Sequence, residues 1–184
     1  MARMARSSTR RRVHDAVLGL VREGRVGSLS MEGVAARAGV SKQTLYRSWA
    51  TTGAILFDAL LARSEGPDGD VIVPDTGDLS ADLFTLASGM VSELTGAETG
   101  PLLRAVTAEV QTDAELAAQY RALLLAPQMA AIARRFRDAG AADPDECAEL
   151  FVGPLLHRWL LHSHPFSREW VARHVARTLR ATAT

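Results

Sequence analysis

The chain is predicted to be all-α, on three observations. Its apolar residues recur at helical spacing along most of its length. The one β-branched run, Val71-Ile72-Val73, lies between Gly69-Asp70 and Pro74-Asp75 and reads as an extended connection. Ser, Gly and Pro punctuate the periodic stretches where helices start and stop. The 184 residues include 47% hydrophobic but only 5% aromatic side chains, enough apolar material for a real core. The single cysteine, Cys147, excludes an intrachain disulfide framework and a multi-cysteine zinc site. MARMARSSTRRR at the start is charged with no apolar stretch behind it, so it does not read as a signal peptide. No apolar run approaches the ~18 residues a membrane span needs, and a cytoplasmic location is the expectation.

About nine helices are expected. The first runs from about Arg10 to Glu23, capped by Ser8 or Thr9 and ended by Gly24, with Val13, Val17, Leu20 and Val21 as its apolar stripe. Ser30 caps a short second helix, Met31 to Ala38, which Gly39 closes because a helix end favours a left-handed residue there. Ser41 caps a third, Lys42 to about Arg47, with Leu45 inward and Trp49 plugging the base. The fourth covers about Thr52 to Arg63. From Glu65 to Asp78 the composition shifts to Pro, Gly and acids, marking a loop between two parts of the molecule. Helices follow at about Leu79–Thr95, Pro101–Val110 and Ala114–Ala139, the last kinked or broken by Pro127. Two more are expected at about Pro144–Ser163, interrupted by Gly153-Pro154, and Ser167–Arg180. The penultimate helix is apolar nearly all round, which suits a core helix or one buried by a second chain.

Charge is segregated. The totals, 21 basic against 21 acidic residues, cancel. Residues 1–50 hold ten basic and three acidic side chains, a net of +7, and the remainder is −7. A basic head on an acidic body points to an anionic partner at one end, unless the run is only a solvated face.

Residues 30–49 read SMEGVAARAGVSKQTLYRSW. A helix, a tight Gly turn and a second helix opening on Ser make a helix-turn-helix, whose second helix enters the DNA major groove. Ala35, Ala38 and Gly39 allow a close crossing, and Val34, Val40 and Leu45 knit the corner. Outside remain Lys42, Gln43, Thr44, Tyr46 and Arg47. Gln can pair bidentately with adenine, Lys can reach guanine or phosphate, and Thr offers a hydroxyl or methyl, while Tyr46 and Arg47 suit phosphates. Lys42 is the sole lysine in the chain.

That stretch, continued by TTGAILFDALLA, closely resembles the DNA-binding domain of TetR-family transcriptional regulators, over roughly residues 10–63. DTGDLSADL, AELAAQYRALLLAPQ and ELFVGPLLHRWLL resemble a branch of the family more loosely. The resemblance implies an N-terminal arm and DNA-binding domain over 1–50. It implies a connecting helix with a ligand-binding and dimerisation domain over 51–184, in a homodimer on operator DNA. It places Arg3, Arg6, Arg10, Ser30, Ser41, Lys42, Gln43, Thr44, Tyr46, Arg47 and Thr52 at the DNA. One departure is that Ala50-Thr51-Thr52-Gly53 lacks the cation that typically holds a phosphate there. Thr51 or Thr52 can cap the helix instead. The arginine arm from Arg3 to Arg12 either compensates along the phosphates or minor groove, or is a solvated tail.

In the body, Phe84, Met90, Phe136, Phe151 and Trp159 are candidates for a mainly apolar ligand pocket, or else ordinary core. Arg104, Glu109, Gln111, Tyr120 and His157 are conceivable polar anchors. Trp159, Leu160, Trp170, Val171, Val175 and Leu179 are candidates for a dimer interface, or intrachain core. His162-x-His164 lacks helical metal-ligand spacing, and no cofactor or metal is expected. No catalytic motif is present, so the expectation is a ligand-responsive DNA-binding regulator rather than an enzyme: a repressor released by a small, mainly apolar molecule, with an activator not separable from it by sequence. The alternative is an all-α small-molecule-binding protein or enzyme whose N-terminal helices are structural only.

Overall fold

The computed structural model describes residues 2–24, 29–64 and 72–182, with side chains from 7 to 181. Among these residues every regular element is helical: α1 (Ala2–Arg22), α2 (Met31–Ala38), α3 (Lys42–Tyr46), α4 (Thr52–Ser64), α5 (Leu79–Thr95), α6 (Thr99–Val110), α7 (Ala114–Tyr120), a π-turn (Arg121–Leu125), α8 (Ala126–Asp138), α9 (Pro144–Leu160) and α10 (Arg168–Thr182). The chain forms two compact units. One holds α1–α4 with α6 and α7, and the other holds α5, the π-turn and α8–α10.

In the first unit α1 packs on α2, α4 and α6, and α4 also on α6 and α7. Val13, Ala16, Val17 and Leu20 of α1 are buried with Val34 of α2, Leu45 of α3, and Ile55, Leu56 and Leu60 of α4. This is the stripe that the periodicity predicts. α1 begins at Ala2, however, so neither Ser8 nor Thr9 caps it. Ala, Arg and Met are strong helix formers, and the apolar stripe further along anchors turns that carry none of their own.

In the second unit α5, α8, α9 and α10 enclose a core of Leu83, Phe136, Phe151, Leu155, Val171 and Val175, among others. Phe136 and Phe151 meet edge-on at 6.3 Å between centroids. Asp78 caps α5, its carboxylate accepting from the Ala81 N–H, and Asp143 caps α9 through the Glu146 N–H. A buried ion pair, Arg135 Nη2 to Asp82 Oδ2 at 2.7 Å, crosses this core. Asp82 also accepts from the backbone N–H and the hydroxyl of Thr76, tying the end of the connecting segment to α5.

Two expectations about prolines resolve differently. The long helix over 114–139 is split, which lifts the count of α-helices among the described residues to ten. Pro127 has no N–H for the carbonyl four residues back, and the strain is taken up in the π-turn that precedes it. Gly153-Pro154, by contrast, does not interrupt α9, which runs through Pro154. Gly153 and Pro154 lie on an exposed face, where the missing bond is tolerated. α9 ends at Leu160 rather than Ser163, and His162 turns the chain with φ 47°.

Candidate nucleic-acid interface

The helix-turn-helix is built locally from caps and one turn. The Ser30 hydroxyl accepts from the Gly33 N–H to start α2, and Ser41 accepts from the Thr44 N–H to start α3. Ser41 and Thr44 hydroxyls are also 2.8 Å apart, which holds Thr44 against the cap. Between the helices Gly39 takes φ 62°, ψ 42°, the left-handed conformation in which a side chain is penalised. Arg12 of α1 donates from Nε to the Ala38 carbonyl and from Nη2 to the Gly39 carbonyl, satisfying groups that the end of α2 leaves open.

α3 is anchored by one side chain. Leu45 is fully buried, while Lys42, Gln43, Tyr46 and Arg47 are exposed and Thr44 is half-buried. Lys42, Gln43 and Tyr46 are thus presented on one short helix, and Arg47 caps its end. Thr51, not Thr52, caps α4, its hydroxyl accepting from the Ala54 N–H, and Thr52 sits half-buried in the first turn. The side chains of Arg3 and Arg6 lie outside the described residues.

Arg10 is engaged within its own unit. Its guanidinium donates twice to Asp58 of α4, at 3.0 and 2.6 Å. His14 Nε2 lies 2.9 Å from the same carboxylate, and the Trp49 indole N–H donates to it at 3.0 Å. Burial works against ionisation of Asp58, but the bonds from His14 and Arg10 outweigh it and hold the carboxyl far below the ordinary range. One side chain thereby joins α1, the residue that closes the helix-turn-helix, and α4. Sequence reading misses it, because its partners lie 9, 44 and 48 residues away.

Other cations of the basic head are paired too. Arg37 reaches Glu23 at 2.6 Å, passing over Gly19, where an added Cβ would meet its Nη2 at 2.6 Å. Lys42 Nζ meets Glu32 Oε1 at 2.5 Å.

In the second unit, Phe136 and Phe151 are fully buried, and Phe84 and Met90 pack partly buried against the same core. The Arg168 guanidinium lies 5.0 Å over the Phe84 ring. Trp159 is buried, and its indole N–H has no hydrogen-bond partner among the described residues. Trp159, Val171 and Val175 are buried within their own chain, Leu179 packs against the core and Trp170 is half-buried. Of the six residues expected at a dimer interface only Leu160 is exposed, because the apolar faces of α9 and α10 first fill this core. Leu150 and Leu161 are exposed with it. Glu146, Glu149, Leu150, Gly153, Pro154 and His157 line a shallow depression of about 520 Å³ on α9.

His174 donates from Nε2 to the Phe151 carbonyl at 2.8 Å and is stacked between Trp170 and Phe151. Burial pushes its pKa down. Burial and then the nearby Asp143 and Glu146 raise that of the Cys147 thiol, which suits an inert core residue. Among the described residues no three His, Cys, Asp or Glu side chains gather as a metal site, and no helix is long and apolar enough to cross a membrane.

A helix-turn-helix with an exposed polar second helix, in a chain whose second unit is also all-helical, defines a class of DNA-binding transcriptional regulators. Residues 73–178 match the family model described as "Tetracyclin repressor-like, C-terminal domain". The chain is 30% identical over 158 residues to the HTH-type transcriptional regulator AqdR of Rhodococcus erythropolis, covering 83% of this chain and 74% of that protein. It is 27% identical over 160 residues to the uncharacterized HTH-type transcriptional regulator YdeS of Bacillus subtilis (strain 168), covering 83% and 79%. The crystal structure of the TetR family transcription regulator SCO0332 superimposes with a TM-score of 0.66 at 32% identity, covering 91% of this chain and 97% of that one. The chain belongs to the TetR family of transcriptional regulators.

Proposed function

We propose that the protein is a repressor that binds a palindromic operator as a homodimer and is released by a small, mainly apolar effector. The observation that carries the DNA contact is the presentation of α3. Leu45 is buried, and Lys42, Gln43, Tyr46 and Arg47 project outward on a helix whose start is held by Ser41. In the dimer two copies of α3 occupy successive major grooves about 34–36 Å apart. Ser30, Ser41, Thr44 and Thr52 contribute to backbone contacts, and Arg3 and Arg6 contribute from the arm. Arg10 acts first through Asp58. Residues 1–50 supply the DNA contacts, and residues 51–184 connect, bind effector and dimerise.

The dimer contact uses the exposed face of α9, where Leu150, Leu160 and Leu161 flank Gly153 and Pro154. Small residues there allow close approach of a second helix. The effector is bound among Phe84, Met90, Phe136, Phe151 and Trp159, and the Trp159 N–H, which has no acceptor among the described residues, hydrogen-bonds to it. An effector that binds another conformation more tightly shifts the population away from the DNA-competent one.

Fluorescence anisotropy with a duplex selected by the wild-type protein from a random pool tests the DNA contact. Lys42→Ala, Tyr46→Ala and Arg47→Ala should each weaken binding with the far-UV helical signal intact. Wild-type affinity in all three removes α3 from the interface.

A further inference from the structure

The ion pair between α2 and α3 is placed where it contributes little to stability. Lys42 and Glu32 side chains are 56% and 57% exposed, and ion pairs that open to solvent are worth little to folding. Glu32 sits in the first turn of α2, and Lys42 is the first residue of α3. The pair therefore spans the two helices at their N-terminal ends, on the side of the motif that carries Lys42.

We propose that Glu32 is a specificity-determining residue of the DNA interface, acting through its ion pair with Lys42. This rests on the DNA-binding reading above. A free lysine is a flexible point charge that accepts any phosphate. Held by Glu32 at 2.5 Å, Lys42 must give up that partner to reach a random phosphate, and an ionised carboxylate is then left facing the polyanion. The Lys42 bond, and then the helix backbone, keep Glu32 below the ordinary carboxylate range, so it remains charged at neutral pH. A matching site repays both side chains. The cytosine N4 amine donates to a carboxylate, and guanine O6 and N7 accept from a lysine. The pair thus favours a site with cytosine within reach of Glu32 and guanine within reach of Lys42, and it disfavours bare phosphate. Arg12 and Arg37 do not substitute, because Arg12 serves the Ala38 and Gly39 carbonyls and Arg37 serves Glu23.

The test compares full-length wild type, Glu32→Gln, Lys42→Met and the double variant. Each is measured by anisotropy on random-sequence duplex and on the duplex selected by wild type, across salt concentrations. Glu32→Gln should bind random duplex more tightly and with a salt slope steeper by about 0.9. The ratio of selected to random affinity should fall about tenfold. Reselection with this variant should lose the preference for cytosine at one position of each half-site. The loss of selectivity should be smaller in the Lys42→Met background, where only the carboxylate's own contact remains to be lost. A merely structural role for Glu32 at the start of α2 would lower the urea midpoint and leave the selected sequence unchanged. Equal gains on both duplexes, or a loss of selectivity that persists undiminished without Lys42, would overturn the proposal. Failure of the DNA-binding reading itself shows separately, as wild type that binds neither duplex in a salt-dependent way.

Discussion

Replacing Gly39 should separate backbone strain from every other effect in the turn of the helix-turn-helix. At φ 62°, ψ 42° the residue is in the left-handed region, where a Cβ costs about 1–2 kcal/mol. Space is not at issue, since among the described residues an added Cβ would find only the Arg12 Nη2, at 4.0 Å. Losing a glycine also stiffens the unfolded chain, which returns about 0.4–1 kcal/mol. Gly39→Ala should therefore destabilise by about 1 kcal/mol net. Gly39→Asn, whose side chain visits this conformation routinely, should stay near wild type. Urea unfolding followed by circular dichroism measures the difference. A loss of about 1 kcal/mol leaves a domain of ordinary stability folded, so any fall in DNA affinity of the alanine variant reports an altered angle between α2 and α3. Alanine as stable as asparagine would refute the strain argument.

Three further outcomes are expected. Phe151→Ala empties a site bounded by Phe136 and His174 and should cost about 3–5 kcal/mol in urea unfolding, with the fold retained. Asp58 has a depressed folded pKa, so its contribution to stability is present above about pH 4 and lost as pH falls toward that lower value. Asp58→Asn should lower the midpoint at pH 7 and flatten its decline between pH 5 and 3, and an unchanged decline would place the acid sensitivity elsewhere. Leu160→Glu should shift sedimentation at micromolar concentration toward monomer without loss of helicity, whereas an unchanged dimer would move the interface off that face.

What was legible in the sequence is what is set locally. Ser30, Gly39 and Ser41 fix the helix-turn-helix near its expected bounds, and the periodic run at Leu79–Thr95 forms a helix over the same residues. The eight early residues of α1 were not legible, because they carry no apolar period and depend on the stripe that follows. Pro127 and Pro154 read alike in the sequence. Their consequences diverge, a π-turn at one and an unbroken helix at the other. The charge segregation was visible as totals, but its use was not. Arg10, Arg37 and Lys42 meet Asp58, Glu23 and Glu32 through contacts that only the packing of helices creates. The buried Arg135–Asp82 pair, 53 residues apart, is of the same kind. The apolar residues of α9 and α10 could have faced a core or a second chain, and the sequence pattern is the same for both.

Hydroxyl-radical footprinting of the wild-type protein on the selected duplex tests the central claim most directly. The account predicts two protected segments related by a two-fold axis, with centres about one helical turn apart, and their loss in Lys42→Ala. A single unpaired footprint, or a protected pair that Lys42→Ala and Arg47→Ala leave intact, would contradict it.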